Sequence, residues 1–188
     1  SVIKVKKFAA NNGFTLIELM ITLVVVIILV AIAAPSFNAM IRENRLATQA
    51  NNFLGSLQLA KSEAIRRGVQ VTMLRDGNAA GEWHGGWRIF TDWNRNETFD
   101  GNANATDCSV EGQDCYLRIY DSLGNNLILT GDAKYQDWIA FSPSGEVLSS
   151  GGGLPMGRFT LCTPNTNGRE VVLNNAGRMR VEEGNAAC

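Results

Sequence analysis

The chain has 188 residues, a formal net charge of −1, one histidine and four cysteines. This length accommodates one membrane-spanning helix and one modest globular domain. The small net charge excludes a uniformly basic protein, so contact with nucleic acid would require a local basic patch. A single histidine without any Cys-x-x-Cys pair gives no support to a zinc site, and we expect neither a metal nor a cofactor.

The N-terminal region combines a basic leader with a long apolar run. Three lysines occur in the first seven residues, Gly13 and Phe14 follow, and the apolar run continues to Ala34. Glu18 places a carboxylate within this run. A charge inside a membrane helix costs roughly 2.5–3.5 kcal/mol on insertion scales, so we expect Glu18 to have a partner or a task.

This order of basic leader, Gly13, Phe14 and Glu18 resembles the class III leader of type IV pilins and type II secretion pseudopilins. The resemblance implies that a prepilin peptidase removes residues 1–13 and that the new amine of Phe14 is methylated. It also implies that Glu18 pairs with the terminus of a neighbouring subunit during assembly. The alternative is an ordinary signal anchor in which Glu18 lies at the membrane interface.

One long helix is predicted from Phe14 to Arg67. Residues 14–35 are long and apolar enough to cross a membrane, and residues 36–68 form the amphipathic half of the same helix. Pro35 is expected to kink the helix without ending it. Because the lysines precede the span, the positive-inside rule places the leader in the cytoplasm and the following domain in the periplasm.

Residues 69–188 show short β-like runs separated by turn residues, which predicts a periplasmic β-rich domain. Turns 124–126 and 174–177 are interpreted as hairpins. The fold class is therefore α+β, with a long N-terminal helix packed against antiparallel sheets. The predicted strands are 69–74, 87–90, 116–120, 127–129, 138–141, 146–148, 158–161, 170–173 and 178–181.

All four cysteines follow the apolar run. An even number beyond a membrane anchor indicates disulfides in an oxidising periplasm. Four cysteines allow three pairings, and sequence proximity favours Cys108 with Cys115 and Cys162 with Cys188.

The middle of the chain resembles one particular group of pilins. Residues 57–67, a β-run and then the stretch Gly-Trp-Arg-Ile-Phe-Thr-Asp at 86–92 resemble the minor pilin group that contains FimT, FimU and the minor pseudopilin H. The resemblance implies a pilin-like fold and partnership with other minor pilins and with the major pilin.

Two further regions contain residue types that chemical sites use. Residues 92–100 are rich in oxygen ligands, but Glu97 and Ala103 stand where a calcium loop of the EF-hand type needs Gly and Glu, so a polar turn is predicted. His84 is interpreted as a hydrogen-bonded loop residue. Without any catalytic motif, we expect the protein not to be an enzyme.

The segment Gly177-Arg178-Met179-Arg180 follows a turn. Strand alternation predicts both arginines on one face, about 7 Å apart, which suits phosphates along a DNA strand. Arg169 is expected across the hairpin from them. The segment resembles the C-terminal DNA-binding motif of FimT-like minor pilins, which implies non-specific binding of double-stranded DNA.

The alternative is a solvated edge strand, because Glu182 and Glu183 follow at once and could pair with the arginines. The resemblance implies a minor type IV pilin, held in the inner membrane before assembly and then at or near the pilus tip, that captures DNA for natural transformation. A purely structural priming subunit and a type II secretion pseudopilin are the alternatives.

Overall fold

The computed structural model describes residues 13–101, 107–124, 126–164, 168–174 and 176–184. Within these ranges the chain forms one helix and nine strands. They are α1 (Leu16–Arg67), β1 (Gln70–Arg75), β2 (Trp87–Asp92), β3 (Tyr116–Tyr120), β4 (Ile128–Gly131), β5 (Trp138–Phe141), β6 (Val147–Ser149), β7 (Gly157–Cys162), β8 (Arg169–Leu173) and β9 (Met179–Glu183).

The chain divides into two compact units, the first ending at Arg42 and the second starting at Glu43. In the first unit the apolar side chains of α1 are exposed, and the helix is long and apolar enough to span a membrane. The helix continues past Pro35, as predicted.

In the second unit, α1 buries a stripe of apolar residues at alternating spacings of four and three. These spacings place all of them on one face of the helix. Leu46 begins this stripe, whereas its neighbour Ala47 is only half-buried. The stripe consists of Leu46, Ala50, Phe53, Leu57, Ala60 and Ala64, each at most 1% exposed.

Two antiparallel sheets complete the second unit. The first sheet has the strand order β3-β2-β1-β5-β6, and the second has the order β4-β7-β8-β9. Phe53 of α1 makes edge-on contacts with Trp83, Trp87 and Phe159 at centroid distances of 6.1, 4.9 and 4.7 Å. Phe159 belongs to β7 and Trp87 to β2, so one core joins the helix to both sheets. The predicted α+β class is confirmed, and each predicted strand is present within two residues of its expected bounds.

One of the two predicted hairpins is wrong. The turn at 174–177 does join the paired strands β8 and β9. The turn at 124–126 instead leads from β3 in the first sheet to β4 in the second. Its Gly124 and Asn126 have the positive φ of tight turns, both +59°. A turn of this kind reverses the chain, but long-range packing decides which strands then pair.

A disulfide joins Cys108 to Cys115 with a Cα–Cα distance of 5.3 Å. It closes a short loop between β2 and β3, and the guanidinium of Arg67 at the end of α1 donates to the Cys108 carbonyl at 3.4 Å. This is the pairing that sequence proximity favours. The other favoured pairing, Cys162 with Cys188, involves a residue outside the described ranges.

The loop after β2 is a hydrogen-bonded polar turn. Asp92 is completely buried, and one of its carboxylate oxygens accepts from the side chains of Gln70 and Thr72 and from the Glu97 N–H, at 3.0, 2.8 and 3.0 Å. The Asp114 carboxylate likewise accepts two backbone N–H groups of the loop at 3.0 Å. These carboxylates serve as acceptors within the protein, and the described residues contain no group of three His, Cys, Asp or Glu arranged for a metal.

Replacing Phe53 by Ala is expected to lower the free energy of unfolding by about 3–5 kcal/mol, because the change leaves a cavity where the helix meets both sheets. Urea unfolding followed by tryptophan fluorescence measures this, since all four tryptophans lie in the second unit. Ile119→Ala on β3, where the side chain is 54% exposed, is the control and should cost about 1 kcal/mol or less. Equal effects of the two changes would contradict the central place of Phe53.

Glu97→Gln is expected to stabilise the protein at neutral pH. Burial raises the pKa of Glu97, the Gln70 hydrogen bond lowers it in part, and the Asp92 charge raises it further. The folded state therefore binds this proton more tightly than the unfolded chain does, and the ionised carboxylate lowers stability once the pH rises above the glutamate range. Melting temperatures should show a gain at pH 7 that fades as the pH falls and Glu97 becomes protonated. A gain that persists in acid, or one matched by exposed Glu111→Gln, would refute the assignment.

Candidate functional site

The hairpin of β8 and β9 has a turn that requires glycine. Gly177 has a φ of +65°, its N–H donates to the Asn174 carbonyl at 2.9 Å, and the Arg178 N–H donates to the Asn174 side chain at 2.8 Å. A Cβ on Gly177 would lie 2.8 Å from the Gly145 carbonyl oxygen. The glycine of the Gly-Arg-x-Arg segment therefore allows the turn to lie close against the turn between β5 and β6.

Lys61 of α1 holds the same turn. Its ammonium donates to the carbonyls of Gly177 at 2.9 Å and Ala176 at 3.4 Å. These bonds fix where the arginine segment begins and place a further positive charge beside it. No sequence pattern pointed to Lys61, because it lies 116 residues away from Gly177 along the chain.

Arg178 and Arg180 lie on one face of the hairpin, in agreement with strand alternation. Both side chains are exposed, whereas the intervening Met179 and the following Val181 pack against the core. Their Cα atoms are about 7 Å apart, the spacing of alternate residues in a strand.

Arg169 does not join this pair, and the expectation that it would is wrong. It lies opposite Glu183 in the β8–β9 register, at the end of the hairpin away from the turn. It also shares the alternation of Val171 and Leu173, which face the core, and its guanidinium contacts Glu183 at 2.8 Å. Arg169 therefore belongs to the opposite face of the sheet.

The structure brings a different arginine to the pair. Arg158 of β7 lies opposite Val172 of β8, and Val172 lies opposite Arg180 of β9. Phe159 is buried, so its neighbour Arg158 points outward, with its side chain 58% exposed. We call this outer surface of the second sheet the arginine face: Arg158, Arg178, Arg180, Glu170, Glu182 and Val172.

Two of the three arginines are paired with acids of the same face. Arg158 contacts Glu170 at 2.9 Å, and Arg180 contacts Glu182. Within the described residues, the guanidinium of Arg178 has neither an ion pair nor a hydrogen bond. Arg180 and Glu182 are both exposed, and an ion pair of this kind contributes about 0–1 kcal/mol, so it does not lock the arginine in place. In the other pair the Arg158 side chain is 58% exposed, whereas the Glu170 side chain is only 13% exposed. The face can therefore present guanidinium groups to an anion.

His84 differs from its expected role. Its carbonyl accepts the Leu123 N–H at 3.0 Å, but the imidazole Nδ1 is buried without a hydrogen bond in the described part of the chain. His84 is therefore hydrogen-bonded through its backbone, as predicted, but its Nδ1 makes no hydrogen bond among the described residues.

The start of α1 forms a second candidate site. Thr15 precedes the helix, and its hydroxyl accepts the Glu18 N–H at 3.3 Å. Thr15-x-x-Glu18 has the spacing of a capping box, a local sequence pattern that indicates a helix beginning just after Thr15. Phe14 and Glu18 are both exposed, one helical turn apart, and Glu18 has no ion-pair partner among the described residues.

Two family models match the chain, one at its N-terminus and one over most of the second unit. The model for the type II transport protein GspH matches residues 49–177, and the prokaryotic N-terminal methylation motif matches residues 9–34. No curated protein sequence matches the chain.

Among solved structures, two crystal forms of the type IV minor pilin FimU from Pseudomonas aeruginosa strain PAO1 share the fold. In space group P21 the TM-score is 0.55 with 20% identity over 78% of this chain and 94% of FimU. In space group P65 the TM-score is 0.54 with 20% identity over 76% of this chain and 97% of FimU. Because the GspH model covers well over half of the chain, the protein belongs to the type II transport protein GspH family of pilin-like minor subunits.

Proposed function

We propose that the protein is a minor type IV pilin that enters a pilus through α1, at or near the tip, supports pilus assembly and binds double-stranded DNA for natural transformation. The observation that carries the binding part is the outward presentation of Arg178 and Arg180, with Arg178 unpaired in the described residues. The methylation motif at residues 9–34 and the family membership support the pilin part.

In this proposal the prepilin peptidase cleaves between Gly13 and Phe14, and the amine of Phe14 is methylated. Residues 14–35 cross the inner membrane, residues 36–68 continue the helix, and residues 69–188 form the periplasmic domain. Loss of residues 1–13 removes three lysines and no acid, which leaves a net charge of −4.

The carboxylate of Glu18 then serves assembly. One turn away from it lies the amine of Phe14, and a neighbouring subunit would offer the same amine to Glu18. An ammonium and a carboxylate attract each other more strongly where lipid excludes water, which offsets the cost of keeping Glu18 in the apolar run. The partners are accordingly other minor pilins and the major pilin.

The binding part acts through charge and not through base recognition. Guanidinium groups fit phosphate oxygens in pairs, and each neutralised phosphate of duplex DNA releases counterions. The few arginines of this face predict weak, salt-sensitive and sequence-independent binding. The subunit has a structural and binding role in this proposal and catalyses no reaction.

The match to a type II transport protein favours a second candidate, a minor pseudopilin of type II secretion. Deletion of the gene discriminates the candidates when transformation, twitching and protein secretion are scored separately. Loss of transformation supports DNA capture, loss of twitching supports a priming subunit at the tip, and loss of secretion supports the pseudopilin.

Glu18→Gln is expected to reduce incorporation into the pilus strongly while leaving the amount in the membrane unchanged, because the amide cannot pair with the amine of a neighbour. Sheared fibres and membranes, compared by immunoblot, measure both pools. Glu43→Gln, an exposed acid of the same helix, is the matched control and should incorporate normally. Equal incorporation of Glu18→Gln and the original protein would overturn the assembly role.

Replacing both Arg178 and Arg180 by Gln is expected to abolish the retention of duplex DNA without changing the melting temperature, because both side chains are exposed. Gel retardation of a short duplex by the full chain in an uncharged detergent, repeated over a salt series, measures this. Two phosphate contacts contribute about −1.8 to the slope of log K against log salt. If the original protein gives no salt-sensitive retention at low ionic strength, the DNA-binding proposal fails.

A further inference from the structure

We propose that the DNA contact extends over the whole arginine face, with Arg158 as a third phosphate ligand and with Glu170 and Glu182 as internal competitors for the arginines. This inference rests on the proposed DNA binding and deepens it. It assigns a role to Arg158 of β7, which lies 20 positions before Arg178 and outside any motif.

The sheet register sets the geometry. Arg158 and Arg180 flank Val172 on neighbouring strands, so their backbones are about 10 Å apart across the sheet. Arg178, the residue just before β9, lies about 7 Å from Arg180 along the chain. The three cations therefore form a triangle. Such a triangle can contact phosphates both along the strand and across the sheet, whereas two arginines on one strand can contact them only along the strand.

The acids form the next row of the same face. Glu170 and Glu182 lie opposite each other in the register, one alternate step from the row of Arg158 and Arg180. Each acid reaches back to the arginine nearest to it on the face, Glu170 to Arg158 and Glu182 to Arg180. Within the described part of the chain, the guanidinium of Arg178 makes no such contact.

This arrangement makes binding an exchange of partners. Side-chain exposure is 58% for Arg158 and 64% for Arg180, so both guanidiniums are open to solvent while they contact their glutamates. A phosphate with two acceptor oxygens can replace a glutamate at either arginine. Arg178 has no partner to exchange among the described residues, so it makes the first contact, and the acids weaken the contacts that follow.

The other face of the same sheet provides matched controls. Arg169 and Glu183 form an ion pair at 2.8 Å, with one arginine and one glutamate that carry the same charges as the pairs of the arginine face. A substitution there changes the net charge of the protein by the same amount. An effect restricted to the arginine face therefore cannot arise from net charge.

The test is a salt titration of duplex DNA binding by the full-length protein in an uncharged detergent. Arg158→Gln should reduce the magnitude of the salt slope by about 0.9, the share of one phosphate, and Arg169→Gln should leave it unchanged. Glu182→Gln should tighten binding by about two- to fivefold, the range expected for release of an exposed ion pair. Glu170→Gln, at a side chain only 13% exposed, should also tighten binding, because it releases Arg158. Glu183→Gln should bind as the original protein does.

Arg158→Lys keeps the positive charge and should retain the salt slope of the original protein. Glu170→Gln leaves Arg158 itself unchanged, so the role of Arg158 is tested by more than one variant. Melting temperatures confirm that each variant is folded. If the original protein does not bind DNA, the proposed function fails and this inference fails with it. If the double substitution of Arg178 and Arg180 abolishes binding but Arg158→Gln behaves as Arg169→Gln does, only the extended face is overturned.

Discussion

The packing of one apolar stripe of α1 against both sheets is the constraint on which the second unit depends. Phe53 lies at the centre of this packing, in edge-on contact with three aromatic rings, two from the segment that leads into β2 and one from β7. Such contacts add to the large apolar area that an aromatic side chain buries. Since alternate residues of a strand point to opposite faces, burying one set against the helix forces the other set outward.

The arginine face is a consequence of that packing. Phe159, Val171 and Leu173 are buried at the core, so their neighbours in β7 and β8 point to solvent. Met179 and Val181 pack against the same core and turn Arg178 and Arg180 outward. The proposed binding surface thus needs no special loop, because it is the reverse side of the hydrophobic core.

The helix contributes to the surface as well as to the core. Lys61 follows the buried Ala60 along α1 and donates to the turn that begins the arginine segment. Gly177 makes this approach possible, because a larger residue would collide with Lys61 and with the Gly145 carbonyl. The position of the arginines therefore depends on three elements that are distant in the sequence.

The sequence by itself determined the elements of this protein and their faces. The capping residues and apolar run of α1, the stripe that follows it and the short apolar runs between turn residues are local patterns, and they can be read without knowing the fold. The order of Gly13, Phe14 and Glu18 is equally local, so the resemblance to pilins could be recognised from the residues alone. Only the tertiary structure decided which strands are neighbours and in what register. For that reason the turn at 124–126 crosses between sheets, Arg169 lies on the wrong face to join Arg178, and Arg158 takes its place: pairing between strands is set by long-range packing, which no local spacing records.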